Sequence, residues 1–203
     1  MRARKFKKEL IVNLMLENYK IILGSKSPRR QELLKGLDID FEIKEIDVEE
    51  NYPADLQIDK VPEYLAKQKA DAYKNFLQNN ILLITADTIV AHNGKVLGKP
   101  KDENDAKNML KTLANSTHDV ITGVCITTKN RQEIFSVVTK VTFSSLTDNE
   151  IDYYVEKYKP FDKAGSYGIQ EWIGFVCVEK IEGSYYNVMG LPIHRIYQML
   201  KSF

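Results

Sequence analysis

The chain has 203 residues, enough for one large domain with a substantial apolar core. Its 29 basic and 28 acidic side chains leave a formal net charge of +1, which argues against a dedicated nucleic-acid-binding protein with a strongly basic face. The two cysteines lie far apart and form no CxxC pair, so neither a disulfide framework nor a zinc site is expected. A reduced compartment, the cytoplasm, is therefore favoured.

Residues 1–18 are expected to form an N-terminal arm outside a single domain at 19–203. The apolar stretch LIVNLML within this arm is interrupted by Asn13 and lacks a cleavage site of small residues. We therefore predict neither a signal peptide nor a membrane span. The arm is expected either to be disordered or to precede an internal start at Met15.

Strands and helices alternate through the first half of the chain, which predicts an α/β architecture. YKIILG is expected to form a strand, residues 28–37 a helix, and DFEIKEI a second strand. A longer helix is predicted over 61–78, and the apolar strand ILLIT follows at 81–85.

The second half has the pattern of antiparallel strands. Asn93-Gly94 is a strong signal for a tight hairpin turn, and Thr147 with Glu150 predicts a capping box that opens a helix over 147–158. The remaining elements are predicted as a helix over 102–114, strands at 118–128, 132–144 and 174–180, and a helix from Pro192. The expected architecture is a mixed, twisted sheet with flanking helices and two lobes around a central cleft.

Two arginines occur at the start of the first predicted helix. Ser27 suits the N-cap and Pro28 the first turn, so Arg29 and Arg30 lie at the positive end of the helix dipole. Each cation there should cost about 0.3–1 kcal/mol. A bound anion would offset this repulsion.

Lys69 falls on the apolar stripe of the helix predicted over 61–78, four residues after Leu65 and four before Tyr73. Lys67 lies instead with the charged residues of the opposite face. We therefore predict that Lys69 points inward, with a lysine that snorkels at the edge of the stripe as the alternative.

Two acidic positions are candidates for a site. Asp87 interrupts the apolar run ILLITADTIV, where a carboxylate needs a metal, a cation or hydrogen-bond donors unless it lies in a turn at the strand end. Glu50, which follows the second predicted strand with Glu49, is favoured as a solvated loop charge on position alone.

Two loops have compositions suited to ligand contact. Lys99 precedes Pro100 in LGKPKD, which fits a rigid loop near a cleft, although an exposed turn lysine is favoured without other support. The glycine-punctuated segment DKAGSYGIQ carries one amide side chain, Gln170, and can approach a ligand through its backbone. The three histidines match no metal-ligand spacing and are expected to be structural or surface residues.

These charged residues together suggest phosphate chemistry. Arginines at a helix start and lysines on nearby segments can bind several phosphate oxygens, and separate carboxylates can hold Mg²⁺. There is no GxxxxGK[ST] motif, so a P-loop enzyme is excluded. A hydrolase of phosphate esters or pyrophosphates is the leading class.

Seven motifs occur in order from about Lys20 to the C-terminus: SKSPRRQELL, LAKQKA, ADTIV, GKP, STHDVITGV, DKAGSYGIQ and EGSYYNVMGLP. Each alone is a weak signal, but their order and spacing are specific. Together they resemble the Maf family of nucleotide pyrophosphatases. The resemblance implies a two-lobed α/β fold related to the inosine triphosphate pyrophosphatases.

The resemblance also implies a reaction. Family members cleave nucleoside triphosphates between the α and β phosphates with a divalent cation, Mg²⁺ or Mn²⁺. The motifs look like those of the branch that prefers dTTP and UTP, and modified pyrimidine nucleotides are further expected substrates. The resemblance allows a homodimer, and neither nucleic acid nor a membrane is an expected partner.

Position by position, the resemblance assigns roles to individual residues. Asp87 matches the proton acceptor, and Glu50 with Asp87 matches the metal-binding acids. Base selection falls to Arg29, Thr88 and Gln170. Phosphate binding falls to Ser25, Ser27, Arg30, Lys69 and Lys99.

A glutamine amide can read a uracil or thymine edge. Gln170 could donate to O4 and accept from N3–H, whereas cytosine would mismatch unless the amide flips. In this chain Glu171 and Trp172 follow Gln170, where the family often has a small residue. A different class of function, a non-catalytic nucleotide-responsive regulator of septum formation, is the alternative.

Overall fold

The computed structural model describes residues 16–203. The N-terminal arm predicted for residues 1–18 therefore lies outside the described residues except at its end, where Leu16 is buried in the core. Among the described residues, no helix is long and apolar enough to cross a membrane.

The centre of the molecule is a seven-stranded mixed sheet, which confirms the predicted architecture. Its strands are β1 (Lys20–Leu23), β2 (Glu42–Ile43), β3 (Ile81–His92), β4 (Lys95–Leu97), β5 (Thr117–Thr127), β6 (Gln132–Phe143) and β7 (Val178–Glu182). The strand order is β2-β1-β3-β5-β6-β7, and β4 pairs with the end of β3. β1 runs parallel to β2 and β3, and the other pairs are antiparallel.

Helices flank this sheet. They are α1 (Pro28–Lys35), α2 (Val61–Ala72), α3 (Glu103–Leu113), α4 (Asp148–Tyr158), α5 (Trp172–Val176), α6 (Tyr185–Val188) and α7 (Ile193–Leu200). The capping box of Thr147 and Glu150 opens α4 as predicted. The Asn93-Gly94 turn joins β3 to β4, with positive φ at both residues.

The core has two main parts. Leu34 of α1 and Ile196 of α7 pack with Ile84 of β3 in the first. Leu110 of α3 and Ile151 of α4 pack against strands β5 and β6 in the second. Long β3 contributes to both, because it runs from its pairing with β1 to its pairing with β4.

Several element boundaries differ from the sequence prediction. The strand predicted at 81–85 continues to His92 as β3. α2 ends at Ala72 rather than at 78, and a short 3₁₀ turn then leaves Phe76 65% exposed. β2 is only two residues long and exposed, because it pairs only with β1 at the sheet edge. The strand predicted at 174–180 begins at Val178, since Trp172–Val176 forms the short helix α5.

Candidate active site

All ten residues singled out from the sequence line one cleft of about 720 Å³. They are Ser25, Ser27, Arg29, Arg30, Glu50, Lys69, Asp87, Thr88, Lys99 and Gln170. The segments that bring them together are the loop after β1 with the start of α1, the loop after β2, helix α2, the middle of β3, the loop after β4 and the loop before α5.

Lys69 joins two acidic residues on one side of the cleft. Its Nζ lies 2.6 Å from Asp87 Oδ1 and 2.8 Å from Glu50 Oε1. Lys69 is buried whereas Lys67 is exposed, which confirms the predicted direction of the two side chains. Asp87 lies within β3 and is 7% exposed, so the alternative of a turn aspartate is wrong.

Glu50 is ionised in this environment. Burial tends to raise the pKa of its carboxyl, but the hydrogen bond from Lys69 and the charges of Lys69, Lys99 and Arg30 outweigh burial and place the pKa below 4.5. Its side chain is 42% exposed and lines the cleft.

The chemistry of these donors fits a magnesium ion that is shared with a ligand. Mg²⁺ commonly takes one or two protein carboxylates and completes its shell with water and phosphate oxygens. Among residues 16–203, no group of three or more His, Cys, Asp or Glu side chains could hold a metal. An ion held by Glu50 and Asp87 would complete its shell with water and with oxygen atoms of a bound phosphate.

Arg30 is held by the protein itself. Its Nε donates to Gly190 O at 2.8 Å, its Nη1 to Ala86 O at 2.8 Å, and its Nη2 to Thr88 Oγ1 at 3.0 Å. Burial lowers the pKa of Arg30, and the charge of Asp87 opposes this shift. A guanidinium has five N–H groups, so two remain for other acceptors.

Arg29 also has a protein partner. Its Nη1 lies 2.9 Å from Asp162 Oδ2, in the loop that leads to Gln170. The repulsion expected between these arginines and the α1 dipole is thus offset partly by a carboxylate and by carbonyl oxygens. The roles of Arg29 in base selection and of Arg30 in phosphate binding stay predictions.

Gln170 has an incomplete set of hydrogen bonds. Its Oε1 is buried and has no hydrogen-bond partner among the described residues. A buried acceptor without a partner costs about 1–3 kcal/mol, so this atom suits a ligand that donates a hydrogen bond. The side chain lines the same cleft as Thr88 and Arg29.

Residues 20–203 match the family model described as Maf-like protein. The chain belongs to this family. A protein of Porphyromonas gingivalis named dTTP/UTP pyrophosphatase is 57% identical over 191 residues, which cover 93% of this chain and 96% of the relative. A protein of the same name from Phocaeicola vulgatus is 58% identical over 187 residues, covering 92% and 97%.

A solved structure supports the Maf-like fold. The structure of the Staphylococcus aureus Ham1 protein aligns with a TM-score of 0.55 at 16% identity, over 90% of this chain and 98% of that protein. This likeness concerns the fold alone and confirms the predicted fold class.

Sequence reasoning missed the contacts that join three residues in and around the DKAGSYGIQ motif of this Maf-like chain. Tyr154 donates from its hydroxyl to Glu171 Oε2 and accepts from Gly168 N at 3.0 Å. Lys163 Nζ lies 3.1 Å from Glu171 Oε1. Helical spacing could have indicated Tyr154, since it follows Ile151 by three residues on the buried face of α4 and a buried hydroxyl needs a partner.

His118 of the STHDVITGV motif is structural, as expected. It is 2% exposed, and its Nε2 lies 2.8 Å from the hydroxyl of Tyr167, which lines the cleft. Burial lowers the pKa of His118 to about 4, so the ring is neutral near pH 7.

Proposed function

We propose that this protein hydrolyses dTTP and UTP to the nucleoside monophosphate and pyrophosphate. The observation that carries the proposal is the placement of Asp87, Lys69 and Glu50 within hydrogen-bond distance in a cleft that also holds an unpartnered Gln170 carbonyl. The names of the relatives, at more than half identity over nearly their whole length, support the same substrates.

The proposed reaction is an attack of water on the α-phosphorus. Asp87 orients the water and accepts its proton, while the new P–O bond forms and the bond to the bridging oxygen breaks. The electron pair of that bond leaves with pyrophosphate. Lys69 and Lys99 stabilise the negative charge that develops on the departing group.

Glu50 and Asp87 are the residues that would hold a divalent cation, Mg²⁺ or Mn²⁺. When bound, such an ion supplies charge neutralisation and alignment of the phosphate chain. Lys69 occupies the position between the two carboxylates, so it holds them side by side before substrate arrives.

Base selection is assigned to other residues of the cleft. Gln170 accepts from N3–H of uracil or thymine through the Oε1 that lacks a protein partner. Arg30 and Thr122 hold the Thr88 hydroxyl, at 3.0 and 2.9 Å, so Thr88 presents a fixed surface to the base. Discrimination between dTTP and UTP should be weak, because a methyl contact is worth about 1 kcal/mol.

A panel of nucleoside triphosphates with Mg²⁺ tests the proposal. We expect pyrophosphate release to be fastest from UTP and dTTP. We expect Asp87→Asn to abolish release and to leave the circular dichroism spectrum unchanged, while the exposed control Asp55→Asn keeps full activity. Release of orthophosphate from the wild type would contradict the proposal. UTP binding without turnover would favour the nucleotide-responsive regulator instead.

The compartment and the assembly state are also proposals. Cys125 and Cys177 are both free, which suits the reduced cytoplasm where nucleoside triphosphates are present. The homodimer that the resemblance allows stays a prediction.

A further inference from the structure

Glu171 has a fixed carboxylate next to the residue proposed to read the base. Its Oε2 accepts from the hydroxyl of Tyr154, which is fully buried on α4, and its Oε1 lies 3.1 Å from Lys163 Nζ. The Glu171 side chain is only 19% exposed. Two partners on separate elements therefore hold this carboxylate in one position.

The Gln170 amide and the Glu171 carboxylate both lie against Gly168. A Cβ at position 168 would meet Gln170 Nε2 at 2.9 Å and Glu171 Oε1 at 3.0 Å. The glycine leaves the space in which these two side chains approach each other. Of the two amide atoms of Gln170, the nitrogen is the one nearer to this Cβ position, which lies 2.8 Å from the Glu171 carboxyl carbon.

The position of the Glu171 carboxylate affects which of its two orientations the Gln170 side-chain amide prefers. In the observed orientation the positive N–H end of the Gln170 amide is the end nearer to the side of Gly168 where the Glu171 carboxylate lies, and Oε1 is buried without a hydrogen-bond partner among the described residues. A flip would bring Oε1 nearer to the Glu171 carboxylate than Nε2 leaves it now, and two electron-rich groups repel each other more strongly at the shorter distance. The flipped orientation is the one that cytosine requires, because cytosine presents an amino donor where uracil presents O4.

We propose that Glu171 is a positioning residue that fixes the Gln170 amide in the orientation matching uracil and thymine, and so disfavours cytosine nucleotides. The inference rests on the proposed function, since it assumes that Gln170 contacts the base. Glu171 acts on the base through Gln170 and does not itself touch substrate.

A chain of ion pairs links Glu171 to Arg29, another residue that is proposed to select the base. Lys163 Nζ, beside Glu171, also lies 2.7 Å from Asp162 Oδ1, and Asp162 Oδ2 lies 2.9 Å from Arg29 Nη1. Glu171 therefore anchors one end of a network whose other end is Arg29. The network gives the loop between them a defined position relative to α1.

The test is the ratio of kcat/KM for UTP to kcat/KM for CTP. Glu171→Gln removes the charge at nearly constant side-chain size. We expect the ratio to fall roughly fivefold to tenfold, which corresponds to the net contribution of one hydrogen bond. The control Glu156→Gln makes the same change at an exposed site of α4 and should leave the ratio at the wild-type value. A purely structural role would lower both rates equally and keep the ratio.

An unchanged ratio in folded Glu171→Gln overturns the inference. If circular dichroism shows that this variant is unfolded, Glu171→Asp serves instead. It keeps the charge but withdraws it from Gly168 by one methylene, so the ratio should fall at least about twofold, and an unchanged ratio again overturns the inference. Failure of the wild type to release pyrophosphate from UTP would contradict the proposed function itself, whereas a UTP-selective wild type with an unchanged variant ratio contradicts only the role of Glu171.

Discussion

Two lysines of α2 have different surroundings: Lys69 belongs to the candidate site, and Lys67 lies on the surface. Lys69 Nζ contacts both Asp87 and Glu50, whereas Lys67 pairs with Asp71 on the exposed face. We expect Lys69→Met to lower the kcat for UTP hydrolysis by at least about 100-fold, because the site loses a preorganised cation.

Lys67→Met is the matched control, and its activity should stay within about twofold of the wild type, since exposed ion pairs contribute little. Steady-state pyrophosphate release measures both variants. Equal losses in the two would show that the Lys69 contacts have no special role.

Burial of His118 predicts a pH dependence of stability. Its pKa lies at about 4 in the fold against 6.5 for an exposed histidine, so the unfolded chain binds more protons between these values and stability falls as the pH falls. From pH 7 to pH 5 this residue should account for about 2 kcal/mol of lost unfolding free energy.

Urea unfolding of wild type and His118→Gln at both pH values measures the effect. The variant lacks the titrating ring, so its loss between pH 7 and pH 5 should be smaller by about 2 kcal/mol. The same loss in both proteins would contradict the assignment.

Periodicity found Lys69 but could not find the contacts of Glu171. A lysine on an apolar stripe stands out within one helix, because helical spacing alone decides which face it occupies. Glu171, in contrast, meets Tyr154 and Lys163 through the tertiary fold, and no local pattern encodes those distances. Asp87 was ambiguous from sequence, since a buried strand aspartate and a turn aspartate look alike until the strand is seen to continue to His92.

At the scale of elements, the contact of α2 with the sheet positions Lys69. Thr85 of β3 donates to Ala66 O of α2 at 2.7 Å. At Gly123 of β5, a Cβ would lie 2.2 Å from the carbonyl carbon of Pro62. The first turn of α2 therefore rests directly on the strand backbone.

Gly123→Ala should push α2 away from the sheet. We expect a loss of about 1–3 kcal/mol in unfolding free energy, typical of an overpacked core, and a fall in kcat because Lys69 moves with the helix. Gly98→Ala, where a Cβ would meet nothing within 4 Å, is the control for stability. Thermal unfolding compares the two, and equal melting temperatures would contradict this view of the contact.

Elements with a local signal were predicted well, and those decided by the sheet were not. The capping box of α4 and the Asn93-Gly94 turn depend on a few adjacent side chains. The end of α2 and the two-residue length of β2 depend on where neighbouring strands lie. Helix α5 escaped prediction because its five residues, WIGFV, read equally well as an apolar strand.

At the scale of the whole molecule, the cleft draws on chain segments from Gly24 to Gly190. Pairing of β1 with β3 and of β3 with β5 brings these segments together. No local sequence pattern predicts such long-range strand pairings. Physical reasoning from the sequence predicted that the separate charged residues bind phosphate. Only the family resemblance assigned these residues to a single site.

A ligand that binds this cleft needs the folded arrangement of all these segments, so it should stabilise the folded chain by mass action. A non-hydrolysable UTP analogue with Mg²⁺ at about 100 times its Kd should add about 2.7 kcal/mol to the unfolding free energy. For a chain of this size that corresponds to a rise in Tm of about 5–10 °C. The rise in Tm should persist in Lys67→Met and shrink in Lys69→Met, because Lys69 lines the cleft and Lys67 does not. A nucleotide held elsewhere on the molecule would raise the Tm of both variants equally, so the difference between them ties the binding to this cleft.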